Sequence, residues 1–94
     1  MPNNDVLTEW CDRRIRVEEK RVGDLNPPEV RVLALVRREV YSEARRLALE
    51  EGTDELKRRF LARIYDDSRF RGTFVDEDIR TCVLVLGFLL SIEP

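Results

Sequence analysis

The stretch TCVLVLGFLLSI, residues 81–92, decides the architecture of this chain because it contains no charged residue. Elsewhere the sequence is dense in Arg, Glu and Asp, and 38% of its 94 residues are charged. A segment that is apolar on every side does not lie on a water-facing surface, since fully burying one Val, Leu, Ile or Phe side chain stabilises a fold by roughly 1.5–3 kcal/mol. We therefore expect residues 81–92 to form a central core element or a surface that meets a partner.

The conformation of residues 80–92 is ambiguous by periodicity alone, because a short apolar run suits either a strand or a buried helix. Two observations favour a helix. Asp76, Glu77 and Asp78 precede the run, and acidic side chains stabilise the positive N-terminal end of a helix. In addition, no second segment has the pattern of a strand that could pair with this one. We predict a helix that begins near Thr73 or Asp76.

The segment before residue 23 has the periodicity of an amphipathic helix. Asn4 or Asp5 can cap its start, because the first amide groups of a helix need a side-chain acceptor. Its inner stripe contains Trp10, the only tryptophan, and also includes the acidic Glu18. Gly23 favours the end of this helix. We expect Trp10 to pack in the core rather than to stack on a ligand.

Helix start and stop signals recur further along the chain. Asn26 precedes two prolines and is followed three residues later by Glu29, a pattern typical of a capped helix start. That second helix is predicted to end at Gly52, and Thr53 is expected to cap a third. Residues 66–72 have the composition of a loop.

A chain of 94 residues is long enough for one domain with a modest core. We predict that residues 1–94 form a single all-α domain, a small bundle of about four helices. The last helix of this bundle is strongly apolar.

Most catalytic and metal-binding chemistries lack their residues in this chain. The sequence contains no His, which removes the commonest general base and the commonest metal ligand. Cys11 and Cys82 lie far apart, and neither belongs to a metal-ligand spacing. We expect both to be buried free thiols. A phosphate-binding loop, a dinucleotide fingerprint and a Gly-x-Ser-x-Gly elbow are missing too. We predict a non-catalytic protein with no cofactor and no bound metal.

The sequence indicates a cytoplasmic protein rather than a membrane protein. A membrane-spanning helix needs about 20 apolar residues, and the charges within residues 76–80 lie too close to the C-terminal run to allow that length. The N-terminus has neither the basic region nor the apolar core of a secretory signal. The sequence has no Gln and far more Arg than Lys, which is typical of a thermophile or of a GC-rich genome.

Arginine clusters form a candidate nucleic-acid surface. Three arginines recur every seven residues and share one face of the second helix. In the loop that follows the third helix, a Phe between two Arg could stack on a base while the guanidinium groups bind phosphates. The candidate contacts are Arg31, Arg38, Arg45, Arg69, Phe70 and Arg71.

Surface ion pairs explain the same arginines more simply. The formal net charge is -2 and the pI about 5.2, whereas nucleic-acid-binding domains usually have a pI above roughly 9. Many arginines have an acid four residues away on a predicted helix. These pairs are Glu9–Arg13, Asp12–Arg16, Arg14–Glu18, Arg46–Glu50, Glu55–Arg59 and Arg63–Asp67. We favour a solvated, ion-paired surface and keep nucleic-acid binding as the alternative.

The function that these observations favour is protein–protein interaction. The C-terminal element has more apolar surface than three short amphipathic helices can cover. We expect a module that self-associates or serves as a small subunit of a larger assembly. Leu84, Phe88 and Leu89 are the predicted contacts of a dimer or a higher oligomer.

Overall fold

The computed structural model describes residues 2–23 and 25–93. Its elements are α1 (Pro2–Arg21), α2 (Pro28–Glu50), α3 (Thr53–Asp67) and α4 (Thr73–Ile92). The prediction of an all-α bundle with four helices is therefore confirmed, and residues 80–92 are helix rather than strand. The predicted domain bounds, 1–94, include Met1, Asp24 and Pro94, which lie outside the described residues.

Helices α1 and α2 form an antiparallel hairpin. The amide nitrogen of Asn4, in the first turn of α1, donates to the backbone carbonyl of Ala48 near the end of α2, at 3.1 Å. At the other end of the pair, Nε of Arg37 donates to Oε1 of Glu18 at 2.9 Å. Asn4 thus lies within α1 and links its first turn to α2. It does not cap the helix, although it is one of the two predicted caps.

Helix α3 runs antiparallel to α4. The ammonium group of Lys57, early in α3, lies 3.0 Å from Oε2 of Glu93, just after the end of α4. Later in α3, Nη2 of Arg63 lies 2.8 Å from Oδ2 of Asp78, in the second turn of α4. These ion pairs join the two ends of one helix to the opposite ends of the other.

The core contains residues of all four helices of the described structure, and Trp10 belongs to it. The indole ring stacks on Phe88 of α4 with 4.3 Å between ring centroids. It also meets Tyr41 of α2 edge-on, at 5.5 Å. The prediction that Trp10 packs in the core is confirmed. The other buried apolar members of this cluster are Leu7, Cys11, Val40, Ala44, Leu47, Ala48, Leu56, Phe60, Cys82, Val85, Leu86 and Leu89.

The expected cap of α2 by Asn26 is wrong. Pro27 occupies the N-cap position of α2 and no side chain caps that end. The Asn26 amide instead donates to the carbonyl oxygen of Arg21, at 2.9 Å. The last carbonyls of a helix lack intrahelical donors, so Asn26 satisfies the end of α1. Likewise, Gly52 rather than Thr53 precedes α3, with a φ of 93° that L side chains rarely adopt.

Candidate interaction surface

Helix α4 has a buried face and an exposed face, although its sequence is apolar on both. Thr81, Cys82, Val85, Leu86 and Leu89 are buried against the other helices. The opposite side carries Val83, Leu84, Gly87 and Leu90, which we call the outer face of α4. The exposed fractions of Val83, Leu84 and Leu90 are 53%, 43% and 64%. Three large apolar side chains therefore meet water along two turns of one helix.

The predicted interface residues divide between the two sides of α4. Leu84 lies on the outer face. Leu89 does not, because its exposed fraction is 0% and it belongs to the core of a single chain. Its assignment as a partner contact is therefore wrong. Phe88 is half-buried, with its ring stacked on Trp10, so it borders the core more than the outer face.

Val83 and Leu90 belong to the outer face but were missed by the sequence interpretation. Helical geometry contains the signal that identifies them. Residues three, four and seven apart share a side of a helix, so Val83, Gly87 and Leu90 form one stripe. Leu89, five residues beyond Leu84, falls on a different side.

Gly87 lies in the middle of the outer face with an open environment. A Cβ atom built on Gly87 would have no heavy atom within 4 Å outside its own helix backbone. Glycine inside a helix costs roughly 0.5–1 kcal/mol relative to Ala. The small size of Gly87 is therefore not required by any neighbour in the described part of the chain.

The outer side of α3 also carries exposed apolar side chains. Leu61 and Tyr65 are exposed and lie one turn apart, and we call this pair the α3 flank. Leu61 and Tyr65 lie two residues on either side of Arg63, whose guanidinium group binds Asp78 in the second turn of α4. The α3 flank is thus beside the N-terminal half of α4.

A buried ion network fixes how α4 sits on the hairpin. The Glu18 carboxylate on α1 is 2% exposed and accepts from Nε of Arg37 at 2.9 Å. Nη1 of Arg37 lies 3.2 Å from Oε2 of Glu77 on α4. Burial alone would lower the pKa of Arg37, but its hydrogen bonds to the two carboxylates outweigh burial and raise it. One guanidinium group therefore links α1 and α4 through α2.

The cysteine thiols are poorly suited to catalysis. Cys11 and Cys82 are both free and buried, as predicted. Burial raises the pKa of each thiol from 9.0 to about 12. The thiolate is the nucleophilic form, so both groups are protonated and unreactive near neutral pH.

Several of the predicted local ion pairs form. Glu9 pairs with Arg13, Arg46 with Glu50 and Arg59 with Glu55, all within 3.1 Å. Two other predicted pairs change partner. Asp12 binds Arg45 across the hairpin at 2.7 Å, and Arg63 binds Asp78 of α4. Acidic side chains thus pair with the surface arginines, some within one helix and some between two helices.

The candidate nucleic-acid contacts are spread along the molecule. Seven helical residues span about 10 Å, so Arg31 and Arg45 lie roughly 20 Å apart along α2. Nε of Arg45 lies 2.7 Å from Oδ1 of Asp12, and a guanidinium nitrogen of Arg38 lies 3.4 Å from Glu39. Arg31 lines a small hollow between the end of α1 and the start of α2.

The residues Arg69, Phe70 and Arg71 form the exposed turn between α3 and α4. The Arg69 guanidinium lies over the Phe70 ring, 5.9 Å from its centroid, and Nε of Arg69 donates to the carbonyl of Asp66. The face of the Phe70 ring and the Nε–H group of Arg69 are the groups that would contact a base and a phosphate. Both already have partners within the turn.

A cavity of about 350 Å³ opens between the first turns of α2 and α4. Its walls are mainly apolar carbon, and Glu29 is its charged lining residue. A cluster of convergent polar groups, which an active site needs, is missing from this lining. The lining residues are Pro28, Glu29, Val32, Leu33, Thr73 and Phe74.

Residues 2–23 and 25–93 contain no group of three or more His, Cys, Asp or Glu side chains placed to hold a metal ion. Over the same ranges, no helix combines the length and the apolar character needed to cross a bilayer.

Comparison with known proteins adds no relative, since no family model, curated protein or solved structure matches this chain. The outer face of α4 carries three large exposed apolar side chains within two turns of one helix, and it is the surface that the predicted contact Leu84 belongs to.

Proposed function

We propose that this protein is a non-catalytic interaction module that binds another protein chain through the outer face of α4. It acts either by self-association or as a small subunit of a larger assembly. The observation that carries the proposal is the exposure of Val83, Leu84 and Leu90 around Gly87, on a helix that has no charge from residue 81 to residue 92.

The physical chemistry of the outer face supports this role. Scattered apolar side chains are normal on a protein surface, whereas a contiguous apolar patch is typical of an interaction site. Removing apolar surface from water contributes about 25 cal/mol per Å², so a partner that covers the outer face gains free energy. The network of Glu18, Arg37 and Glu77 ties α4 to the α1–α2 hairpin, and a surface that is ordered before binding loses less entropy on binding.

A non-catalytic role is supported by the lack of reactive groups. The chain has no His, and burial keeps Cys11 and Cys82 protonated. Two free cysteines are also consistent with our proposal that the protein works in the reducing cytoplasm. Ion pairs between helices, such as those of Arg45 and Arg63, support a thermophilic source, because such pairs stabilise proteins more at high temperature.

The test is site-specific photo-crosslinking in the cells from which the sequence comes. A photoreactive amino acid replaces Leu90, and crosslinked products are identified by mass spectrometry and reconstituted from purified components. Leu49 is the matched control, since it is an exposed leucine on α2. We expect a protein adduct at position 90 that Leu84→Glu abolishes, and no such adduct at position 49.

Equal, weak labelling at positions 90 and 49 would contradict the proposed function. An adduct at position 90 that survives Leu84→Glu would do the same, because the contact would then not depend on the outer face. The identity of the adduct is a separate result: either a second copy of this chain or a different protein supports the proposed function.

A further inference from the structure

We propose that the partner that binds the outer face is a second copy of this chain. The two α4 helices pack antiparallel and cross at Gly87 of both copies, an arrangement that we call the antiparallel seat. This inference rests on the proposed function and names its partner. Three features of α4 carry it: the unused space at Gly87, the symmetric spacing of the leucines around it, and the placement of Arg80.

Gly87 is the first feature. Gly52 and Gly72 are explained by their positive φ values of 93° and 144°, but Gly87 has helical backbone and open space around it. A glycine at a helix crossing lets two backbones approach closely, because no Cβ stands between them. In a two-fold contact the same residue of both copies lies on the axis. A second copy thus gives Gly87 the close neighbour that its own chain does not supply.

The spacing of the leucines is the second feature. Leu84 and Leu90 lie three residues on either side of Gly87. An antiparallel crossing at Gly87 therefore places Leu84 of each copy against Leu90 of the other. The apolar stripe is complementary to itself in this orientation. A parallel pair would set Leu84 against Leu84 and would align the two helix dipoles unfavourably.

The placement of Arg80 is the third feature. Its guanidinium group is exposed, and its ion pair with Glu77 is long, at 3.7 Å. The last turn of α4 contains no basic residue, although the C-terminal end of a helix carries a partial negative charge of about half an electron. In the antiparallel seat, Arg80 of one copy lies beside this end of the other copy's α4. A parallel pair would instead bring the two Arg80 side chains together.

The α3 flank supplies further area. A stable interface buries about 800 Å² on each partner, which is more than one helix pair covers over two turns. Leu61 and Tyr65 lie on either side of Arg63, which binds Asp78 near the start of α4, where the second copy's α4 ends in the antiparallel seat. The exposed surface of the α3 flank is therefore available to enlarge the contact.

The orientation is tested with engineered cysteines under mild oxidation. Leu84→Cys and Leu90→Cys variants of different mass are mixed, and disulfide-linked products are resolved by mass spectrometry. A disulfide forms only where the two Cα atoms come within about 7 Å. We expect the mixed 84–90 product and a Gly87→Cys homodimer to dominate, and Leu49→Cys to give neither. The native thiols do not compete, because both are buried.

The close crossing is tested with Gly87→Leu, measured by sedimentation equilibrium and by thermal unfolding. We expect the wild-type chain to be a dimer and Gly87→Leu to weaken dimerisation by roughly tenfold or more. The same variant should keep its circular dichroism spectrum, since a Cβ atom at position 87 has no neighbour within 4 Å outside its own helix backbone and the side chain extends from an exposed position. Association and folding are thus separated in a single variant.

Three results would overturn the inference. They are a wild-type monomer at high micromolar concentration, a Leu84→Cys homodimer that outweighs the mixed product, and a dimer that Gly87→Leu leaves intact. A wild-type monomer that still forms a crosslink from position 90 to a different protein would rule out self-association, but it would support the proposed function.

Discussion

Nε of Arg37 on α2 donates to Oε1 of Glu18 on α1 across 2.9 Å, and that carboxylate is almost completely withdrawn from water. A second nitrogen of Arg37 reaches Glu77 on α4. Burying a charge is expensive unless it is paired and hydrogen-bonded. Glu18 therefore depends on Arg37, and the orientation of α4, with its outer face, depends on both.

The first prediction is that Arg37→Met destabilises the fold. Removing one partner of a buried ion pair costs about 3–5 kcal/mol, since the other charge stays buried. We expect the lower end of that range, because Arg21 also approaches Glu18, at 3.4 Å. Urea unfolding followed by circular dichroism measures the loss.

The matched control for Arg37→Met is Arg13→Ala, which removes an exposed pair with Glu9 and should cost at most about 1 kcal/mol. In the double variant Glu18→Leu and Arg37→Met, much of the lost stability should return, because no unpaired carboxylate remains on α1. Equal losses for Arg37→Met and Arg13→Ala would show that Glu18 does not rely on Arg37.

The second prediction concerns the stacked rings of Trp10 and Phe88, whose centroids lie 4.3 Å apart. Phe88→Leu keeps an apolar side chain but removes the ring, so it should cost about 0.5–1.5 kcal/mol beyond any change in buried area. Trp10 is the only tryptophan, and its fluorescence therefore reports both the local change and the unfolding transition. Phe74→Leu, at an exposed phenylalanine, is the control and should leave the transition nearly unchanged.

The sequence predicts the helices well and their faces less well. In α1 and α3, charged residues alternate with apolar ones, so the pattern distinguishes the inner side from the outer side. In residues 81–92 no charged residue distinguishes the sides, so the local pattern does not separate the buried Leu89 from the exposed Leu90. Which of these two neighbours is buried depends on the side of α4 against which the α1–α2 hairpin packs. That packing is a tertiary contact, and the local sequence pattern does not determine it.

Polar contacts within one helix are likewise predicted from the sequence more reliably than polar contacts between helices. The pair of Glu55 with Arg59 is local, and helical spacing predicts it correctly. Asp12 had a local candidate in Arg16, but binds Arg45 of the neighbouring helix. Asn26 carries both a donor and an acceptor, so its position between two helices does not determine which end it caps. Spacing predicts contacts within a helix, whereas contacts between helices require the packing.

The third prediction is a loss of stability at alkaline pH that depends on the buried thiols. Burial raises the pKa of Cys11 and Cys82 from 9.0 to about 12. Above pH 9.0 the unfolded chain releases these protons and the folded chain keeps them, so the free energy of unfolding falls as pH rises towards about 12. Each thiol contributes a slope of about 1.4 kcal/mol per pH unit in that window.

Urea unfolding across this pH range checks the slope, with Cys11→Ala and Cys82→Ala as the variants. Each substitution should lower stability at neutral pH through lost packing, yet flatten the alkaline decline. Ellman's reagent provides a second measure: both thiols should react slowly in the native protein and rapidly in urea. Fast labelling of the folded chain, or an unchanged slope in both variants, would show that the thiols are accessible.

The last prediction is that the arginines of α2 serve ion pairs rather than nucleic acid. Arg45 and Arg38 both lie within reach of carboxylates, which reduce the field that a phosphate would feel. We expect no tight binding of duplex or single-stranded oligonucleotides at physiological salt, measured by fluorescence anisotropy over a series of salt concentrations. In the opposite case, Arg38→Ala, Arg45→Ala and Arg69→Ala would each weaken binding and reduce the log–log salt slope by about one. Glu39→Gln and Asp12→Asn sharpen the comparison, since each removes the acid beside one arginine. Because these acids reduce the field at the arginines, we expect the neutralised variants to bind more tightly than the wild type, though still weakly. Wild-type binding as tight as that of the neutralised variants would contradict this explanation.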